Sequence, residues 1–246
     1  MSQVFNRYEK KYLLDEATYR EVRARLVGHM VADKFGDSDG SYTINNIYLD
    51  TPDNWFIRYS LQHPRYKEKL RLRCYGEPGN QSPVYFEIKK KINRRVNKRR
   101  IVTTMPQALE LIETHQPPEV EGRNRQVLEE IAYILEQRAP VPKVALFYDR
   151  RAYFVPEDND LRITFDKNIR ARRTELDFDH GSYGSLVIPP RHYIMEVKVG
   201  MAIPIWLAKI FSELGLSRVS FSKYGTEYRQ YLHNQYLFGE FSPENT

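Results

Sequence analysis

Three segments of the chain carry Glu-x-Lys, at Glu9/Lys11, Glu87/Lys89 and Glu196/Lys198, and a fourth reads Lys69-x-Arg71-x-Arg73. Side chains two apart on a β-strand share a face, so each segment read as a strand presents one continuous charged row. The intervening positions are mostly apolar: Leu70, Leu72 and Cys74; Val84, Phe86 and Ile88; Tyr193, Met195, Val197 and Val199. Arg150 falls in line with Tyr148 and Ala152, and Arg162 alternates with Leu161 and Ile163. Such a chain specifies a sheet that is apolar on one face and basic on the other. An antiparallel sheet with one face in water gives the same alternation. Here, however, the polar positions are nearly all Arg, Lys and Glu, and like charges opposite one another in a sheet repel. A face so loaded is tolerable when it surrounds a polyanion.

At 246 residues the chain can bury a sizeable core. Pro117-Pro118 and Pro189-Pro190 are too short to act as linkers, so one domain spanning residues 1–246 is expected. The single cysteine, Cys74, rules out an internal disulfide and fits a reducing compartment; it lies on the apolar parity of its strand and reads as a core thiol. Residues 1–7 have no apolar signal-peptide core, and no run of about 18 apolar residues could span a membrane as a helix, so a soluble cytoplasmic protein is expected.

Strands are predicted at Arg7–Leu14, Tyr42–Leu49, Lys67–Tyr75, Val84–Lys91, Arg94–Thr103, Val144–Phe154, Leu161–Arg170 and Tyr193–Val199. Gly76-Glu77-Pro78-Gly79-Asn80 supplies the turn of one hairpin, and Pro156 to Asp160 that of another. Asp15 can cap a helix carrying Tyr19, Val22 and Leu26 at helical spacing, and a short helix holds Trp55 and Phe56. Further helices fall at Pro106–Thr114 and Arg123–Gln137, and two more close the chain, the first with Ile203, Trp206, Leu207, Ile210 and Leu214 on one face. The expected class is α+β: a closed antiparallel β-barrel of about eight strands, with helices packed outside and the charged face lining a wet interior, since unpaired charges do not sit in a dry core.

The motifs of several chemistries are missing. There is no Gly-x-x-x-x-Gly-Lys-Ser/Thr loop, no Gly-x-Gly-x-x-Gly fingerprint and no Gly-x-Ser-x-Gly elbow, and the six histidines show no zinc-type spacing. Any phosphate must therefore be held by side chains.

The order Arg7-x-Glu9-x-Lys11-Tyr12, Lys69-x-Arg71-x-Arg73, Glu87-x-Lys89, Tyr148-x-Arg150-x-Ala152, Leu161-Arg162-x-Thr164, Glu196-x-Lys198 and Phe221-Ser222-Lys223-Tyr224 resembles the VTC domain. This is the polyphosphate polymerase domain of the vacuolar transporter chaperone type, within the triphosphate tunnel (CYTH-like) superfamily. The resemblance runs from Arg7 to about Tyr228. It implies an eight-stranded tunnel that binds ATP, transfers its γ-phosphoryl group to a growing polyphosphate chain and uses a divalent metal, manganese or magnesium. By the same carry-over Lys11, Arg71, Arg73, Lys89, Arg150, Arg162, Lys198 and Lys223 hold phosphates and serve catalysis, with Arg7 and Lys69 beside them; Glu196 is the metal ligand. Glu87 and Glu9 stand second, for metal or for orienting the bases. Over these positions the cations outnumber the carboxylates by seven, against a net charge of +6 for the whole chain. A field concentrated in this way attracts anions. One departure separates sub-families: tunnel hydrolases and cyclases begin Glu-x-Glu-x-Lys, whereas this chain begins Arg7-x-Glu9-x-Lys11, which tilts the reading from hydrolysis toward holding a longer anion.

Three other functions compete. A tunnel triphosphatase would use the same cradle on tripolyphosphate or nucleoside triphosphates, and a non-catalytic polyphosphate or nucleotide sensor would bind without turnover. Nucleic acid is a fourth candidate ligand, for which Lys89-Lys90-Lys91 and Lys98-Arg99-Arg100 form the best footprint; the preferred reading of that run is a solvated tunnel mouth. Coupling to export would require a separate membrane protein as partner.

Overall fold

The computed structural model describes residues 8–36, 40–78, 82–93, 95–118, 122–156 and 158–237. In chain order the elements are β1 (Tyr8–Asp15), α1 (Glu16–Leu26), β2 (Val31–Ala32), β3 (Tyr42–Asp50), α2 (Trp55–Leu61), β4 (Tyr66–Tyr75), β5 (Val84–Ile92), β6 (Arg95–Thr103), α3 (Met105–Thr114) and α4 (Arg123–Arg138). There follow β7 (Val141–Val155), β8 (Asp158–Arg172), β9 (Ser185–Leu186), β10 (His192–Val199), α5 (Ile205–Glu213) and α6 (Lys223–Leu237). Each predicted strand and helix has its counterpart. The two-residue strands β2 and β9 were not foreseen, since two residues are too few to show an alternation. Gly79, Asn80 and Arg94, read as turn and strand residues, lie outside the described residues.

The strands form one sheet in the order β1-β10-β8-β7-β3-β4-β5-β6, with β2 on β7 and β9 on β8. This corrects the expected barrel: among the described residues the path starts at β1 and ends at β6 with no pairing between them, and the sheet is open. Alternation along a strand says which face is apolar but carries no information on whether the end strands meet, which depends on tilt and stagger. The outer edge of β1 is moreover occupied by another segment, for Tyr12 bridges to Arg218 and the Val219 N–H donates to the Lys11 carbonyl at 2.8 Å.

The chain divides into two compact units. The first comprises Met1–Ile44, Phe147–Ile169 and Ile188–Phe221. In it the apolar positions of β1, β8 and β10 (Tyr12, Leu14, Ile163, Phe165, Met195, Val197) pack with Tyr19, Val22 and Leu26 of α1 and with Leu207, Ile210 and Phe211 of α5 in one core. Helix α1 starts where the sequence requires, because the Asp15 carboxylate accepts from the Thr18 N–H at 2.8 Å.

The second unit comprises Asn45–Leu146, Arg170–Val187 and Ser222–Thr246. Leu70, Leu72 and Cys74 of β4, Phe86 and Ile88 of β5, and Ile131 and Leu135 of α4 are buried. Burial pushes the Cys74 thiol up to about 12, so it is a core residue and an inert one at neutral pH. Thr104 and Gln107 close a reciprocal capping box at the start of α3. No helix among the described residues is long and apolar enough to cross a membrane.

Candidate functional site

The register of the first unit puts its charges on one face. Glu9 lies opposite Lys198 and Lys11 opposite Glu196; Glu196 in turn lies opposite Thr164, and Lys198 opposite Arg162. Lys11 Nζ stands 3.1 Å from Glu9 Oε1 and 3.7 Å from Glu196 Oε2, and donates to the Phe221 carbonyl at 3.1 Å. Burial works against a charge on Lys11, but Glu196, Glu9 and Asp166 outweigh it and hold the ammonium above its ordinary value. Lys198 Nζ sits 2.9 Å from Glu196 Oε1. Arg162 reaches the Asp33 carboxylate at 2.9 Å. Arg150 forks onto Asp166, Nε to Oδ1 at 2.7 Å and an Nη to Oδ2 at 2.8 Å, with Asp166 fully buried. Asp166 raises the Arg150 pKa in spite of the burial that opposes it.

The second unit carries the denser cationic surface. Across β4, β5 and β6 the register sets Lys69, Lys89 and Lys98 in one row, then Arg71, Glu87 and Arg100, then Arg73, Tyr85 and Val102. Glu87, 1 % exposed, binds Arg71 through Oε2 at 2.6 Å and Lys98 through Oε1 at 2.5 Å, with Arg73 Nε 4.0 Å away. Burial would push its carboxyl up, yet Arg71, Arg73 and Lys98 prevail and hold it at about 2. Lys98 keeps 37% of its side chain exposed, yet desolvation, with Arg71 and Arg73 also opposing its charge and Glu87 favouring it, brings the amine down to about 8.

Aromatic and amide groups hold this surface in place. Arg71 donates to the Tyr48 hydroxyl at 3.0 Å, and Arg73 to Asn46 Oδ1 at 2.9 Å. Lys69 Nζ donates to Ser222 Oγ at 3.1 Å and lies 5.7 Å from the centre of the Tyr224 ring, which stacks on Tyr48. The Tyr224 hydroxyl donates to Asp50 Oδ2 at 2.8 Å, while Asp50 also accepts from the N–H groups of Phe56 and Ile57 at the start of α2. Burial pushes the Asp50 carboxyl up and, with Asp50 beside it, raises the Tyr224 phenol. Lys223 is half-buried at the first position of α6.

Of the residues singled out in the sequence, Glu9, Lys11, Arg150, Arg162, Glu196 and Lys198 thus gather in the first unit, and Lys69, Arg71, Arg73, Glu87, Lys89 and Lys223 belong to the second. Arg7 lies outside the described residues. Sequence reasoning missed Asp166, Tyr48 and Asp50 as members of these clusters; it read Lys98 and Arg100 as part of a solvated tunnel mouth and Tyr224 as part of the Phe221-Ser222-Lys223-Tyr224 motif. Asp166 shares the parity of Arg162, and that signal was readable. The roles of Lys98 and Arg100 depend on the β5/β6 register, which the long basic run conceals. The same register divides that run. Lys89, Lys98 and Arg100 lie on the cationic face, whereas Lys90 and Arg99 have the opposite parity and bind Glu130 of α4 at 2.6 and 2.9 Å.

Among the described residues no three His, Cys, Asp or Glu side chains converge as a metal cage. Both Asp166 oxygens are taken by Arg150, and both Glu87 oxygens by cations. Glu196, flanked by Lys11 and Lys198, lies opposite Thr164, whose hydroxyl is buried without a hydrogen-bond partner among the described residues. That donor set suits a magnesium- or manganese-like ion held by one or two carboxylates, with water and phosphate oxygens completing its shell.

The family model of the VTC domain matches residues 6–232. The chain belongs to the VTC domain family. A proposed adenylate cyclase from Bacillus halodurans shares the fold of this VTC domain, with a TM-score of 0.53 at 16% identity over 88% of this chain and 95% of that one. An adenylyl cyclase candidate from Hippeastrum, described as having a dominant triphosphatase activity, aligns at a TM-score of 0.48 and 13% identity over 96% of this chain and 97% of that one. No curated protein matches the VTC domain described here.

Proposed function

We propose that this VTC domain is an ATP-dependent polyphosphate polymerase. The observation that carries the reading is the cationic surface of β4, β5 and β6, where Lys69, Lys89, Lys98, Arg71, Arg73 and Arg100 surround the single carboxylate of Glu87. Glu87 offsets part of their mutual repulsion, and the surplus charge calls for a polyanion. Phosphoryl transfer asks a protein mainly for in-line positioning and for neutralisation of the equatorial and leaving oxygens. In the second unit Arg71, Arg73, Lys69, Lys89 and Lys223, and in the first Arg162, Lys11 and Lys198, carry the positive charge that non-bridging oxygens call for, while the fork of Arg150 is committed to Asp166. A terminal oxygen of the polyphosphate chain forms a bond to the γ-phosphorus; the bond from that phosphorus to the β,γ-bridging oxygen breaks, and its electrons leave with ADP. A divalent ion held by Glu196, with Glu9 close by, would supply further charge neutralisation at the phosphate oxygens. Arg7, standing where tunnel hydrolases have a glutamate, favours transfer to phosphate over transfer to water.

The test is to incubate the protein with ATP and manganese and to resolve polyphosphate, inorganic phosphate and ADP in one sample, beside Glu196→Ala. One ADP released per phosphate residue added to polyphosphate, with the polymer lost by about a hundredfold or more in the variant while ATP binding persists, is the expected result. Phosphate without polymer would make the protein a triphosphatase. Binding without turnover would make it a sensor.

A further inference from the structure

The cationic face of β4, β5 and β6 changes character at one end. Beyond Arg73 on β4 comes Tyr75, beyond Glu87 on β5 comes Tyr85, and beyond Arg100 on β6 comes Val102, each two residues further along its strand and therefore on the same face. Tyr75 is 41% exposed and Val102 61%, so an aromatic and aliphatic patch faces solvent at this end. The two tyrosine rings meet edge to face with centroids 5.5 Å apart. The Arg100 guanidinium lies 4.6 Å from the Tyr85 ring centre, and that of Arg73 lies 5.9 Å from the Tyr75 ring centre.

We infer that this patch is a nucleoside subsite, on which the base of a nucleoside triphosphate stacks while its phosphates run along the adjoining cations. This inference rests on the reading of the β4–β6 face as the phosphate-binding surface. Flat rings beside guanidinium groups provide stacking and cation–π contact for a base without hydrogen-bond readout. The opposite end of the face offers no such place. There Tyr48 and Tyr224 are buried, the hydroxyl of the first accepting from Arg71 and that of the second donating to Asp50. Tyr75 and Tyr85 are the aromatic side chains of β4, β5 and β6 that share the cationic face among the described residues. Successive rows are about 7 Å apart along a strand. A base on Tyr75 puts the ribose and α-phosphate beside Arg73; phosphorus atoms joined through one bridging oxygen lie much closer together than successive rows, so the β- and γ-phosphates fall beside Arg71 and Arg100. The subsite therefore also gives the nucleotide a direction, with the γ-phosphate pointing along the face away from Tyr75.

Calorimetric titration of tripolyphosphate and of β,γ-methylene-ATP into wild-type protein, Tyr75→Ala and Tyr75→Phe tests the assignment. The wild type should bind the nucleotide analogue; Tyr75→Ala should weaken it about tenfold and leave tripolyphosphate within about twofold, and Tyr75→Phe should restore it. Retained tripolyphosphate binding shows that the variant is folded. Unchanged nucleotide affinity in Tyr75→Ala, or equal loss of both ligands, overturns the subsite while leaving the phosphate surface standing. A wild-type protein that binds neither ligand overturns the phosphate-binding reading itself, and the subsite with it.

Discussion

Glu87 sits where three cations converge, and its charge is what makes their proximity bearable. Its folded value of about 2 lies below the ordinary 4.5, so its contribution to stability is fully present above pH 4.5 and is lost as pH falls toward 2. The shift corresponds to about 3 kcal/mol as an upper figure. Glu87→Gln should therefore be less stable at neutral pH, and its stability should decline less between pH 4.5 and 2 than that of the wild type. Parallel urea-unfolding midpoints across that range would overturn this. Lys98 gives a second handle. With its amine at about 8, a large fraction is neutral at pH 8, where an ordinary lysine is almost wholly protonated. Trace acetylation at pH 8, read by peptide mass analysis, should find Lys98 more reactive than exposed Lys209 and should find it protected by tripolyphosphate. Equal labelling of the two would refute the low value.

Between elements, two buried carboxylates act as ties within their own units. Asp166 joins β8 to β7 through its fork with Arg150, and because the pair is sequestered, removing one partner strands the other. Asp166→Ala should cost about 3–5 kcal/mol in chemical denaturation, far more than loss of an exposed pair such as Arg25–Glu21. A cost under about 1 kcal/mol would show that water reaches Arg150. The elements themselves were legible: Asp15 marked the start of α1, the turn after Tyr75 marked a hairpin, and the alternation in β4, β5 and β10 told the buried face from the charged one. The ties were not legible. Asp50 and Tyr224 lie 174 positions apart, and neither belongs to a row. Nothing local announces that a tyrosine of α6 will donate to the carboxylate that also caps α2.

At the scale of the molecule the misreading was closure. A two-residue alternation describes each strand from within, whereas joining β1 to β6 is a property of tilt and stagger that no single strand encodes. The basic run from Lys89 to Arg100 posed the same problem more sharply. As a string it resembles a nucleic-acid footprint; as paired strands it divides, with Lys89, Lys98 and Arg100 beside Glu87 and with Lys90 and Arg99 turned to Glu130 of α4. The two arrangements predict different consequences for ionic screening, whose range shrinks from about 10 Å at 0.1 M salt to about 3 Å at 1 M. If the face formed by β4, β5 and β6 collects phosphate, tripolyphosphate affinity should fall steadily with added salt. Lys89→Ala should reduce both the affinity and the steepness of that fall, because one cation has left the face. Lys90→Ala should change neither by more than about twofold, since its charge is already committed to Glu130 on the other side. Titrations at four or five salt concentrations decide the matter. Equal effects of Lys89→Ala and Lys90→Ala would mean that the run acts as one patch, and the division by strand parity would then be wrong.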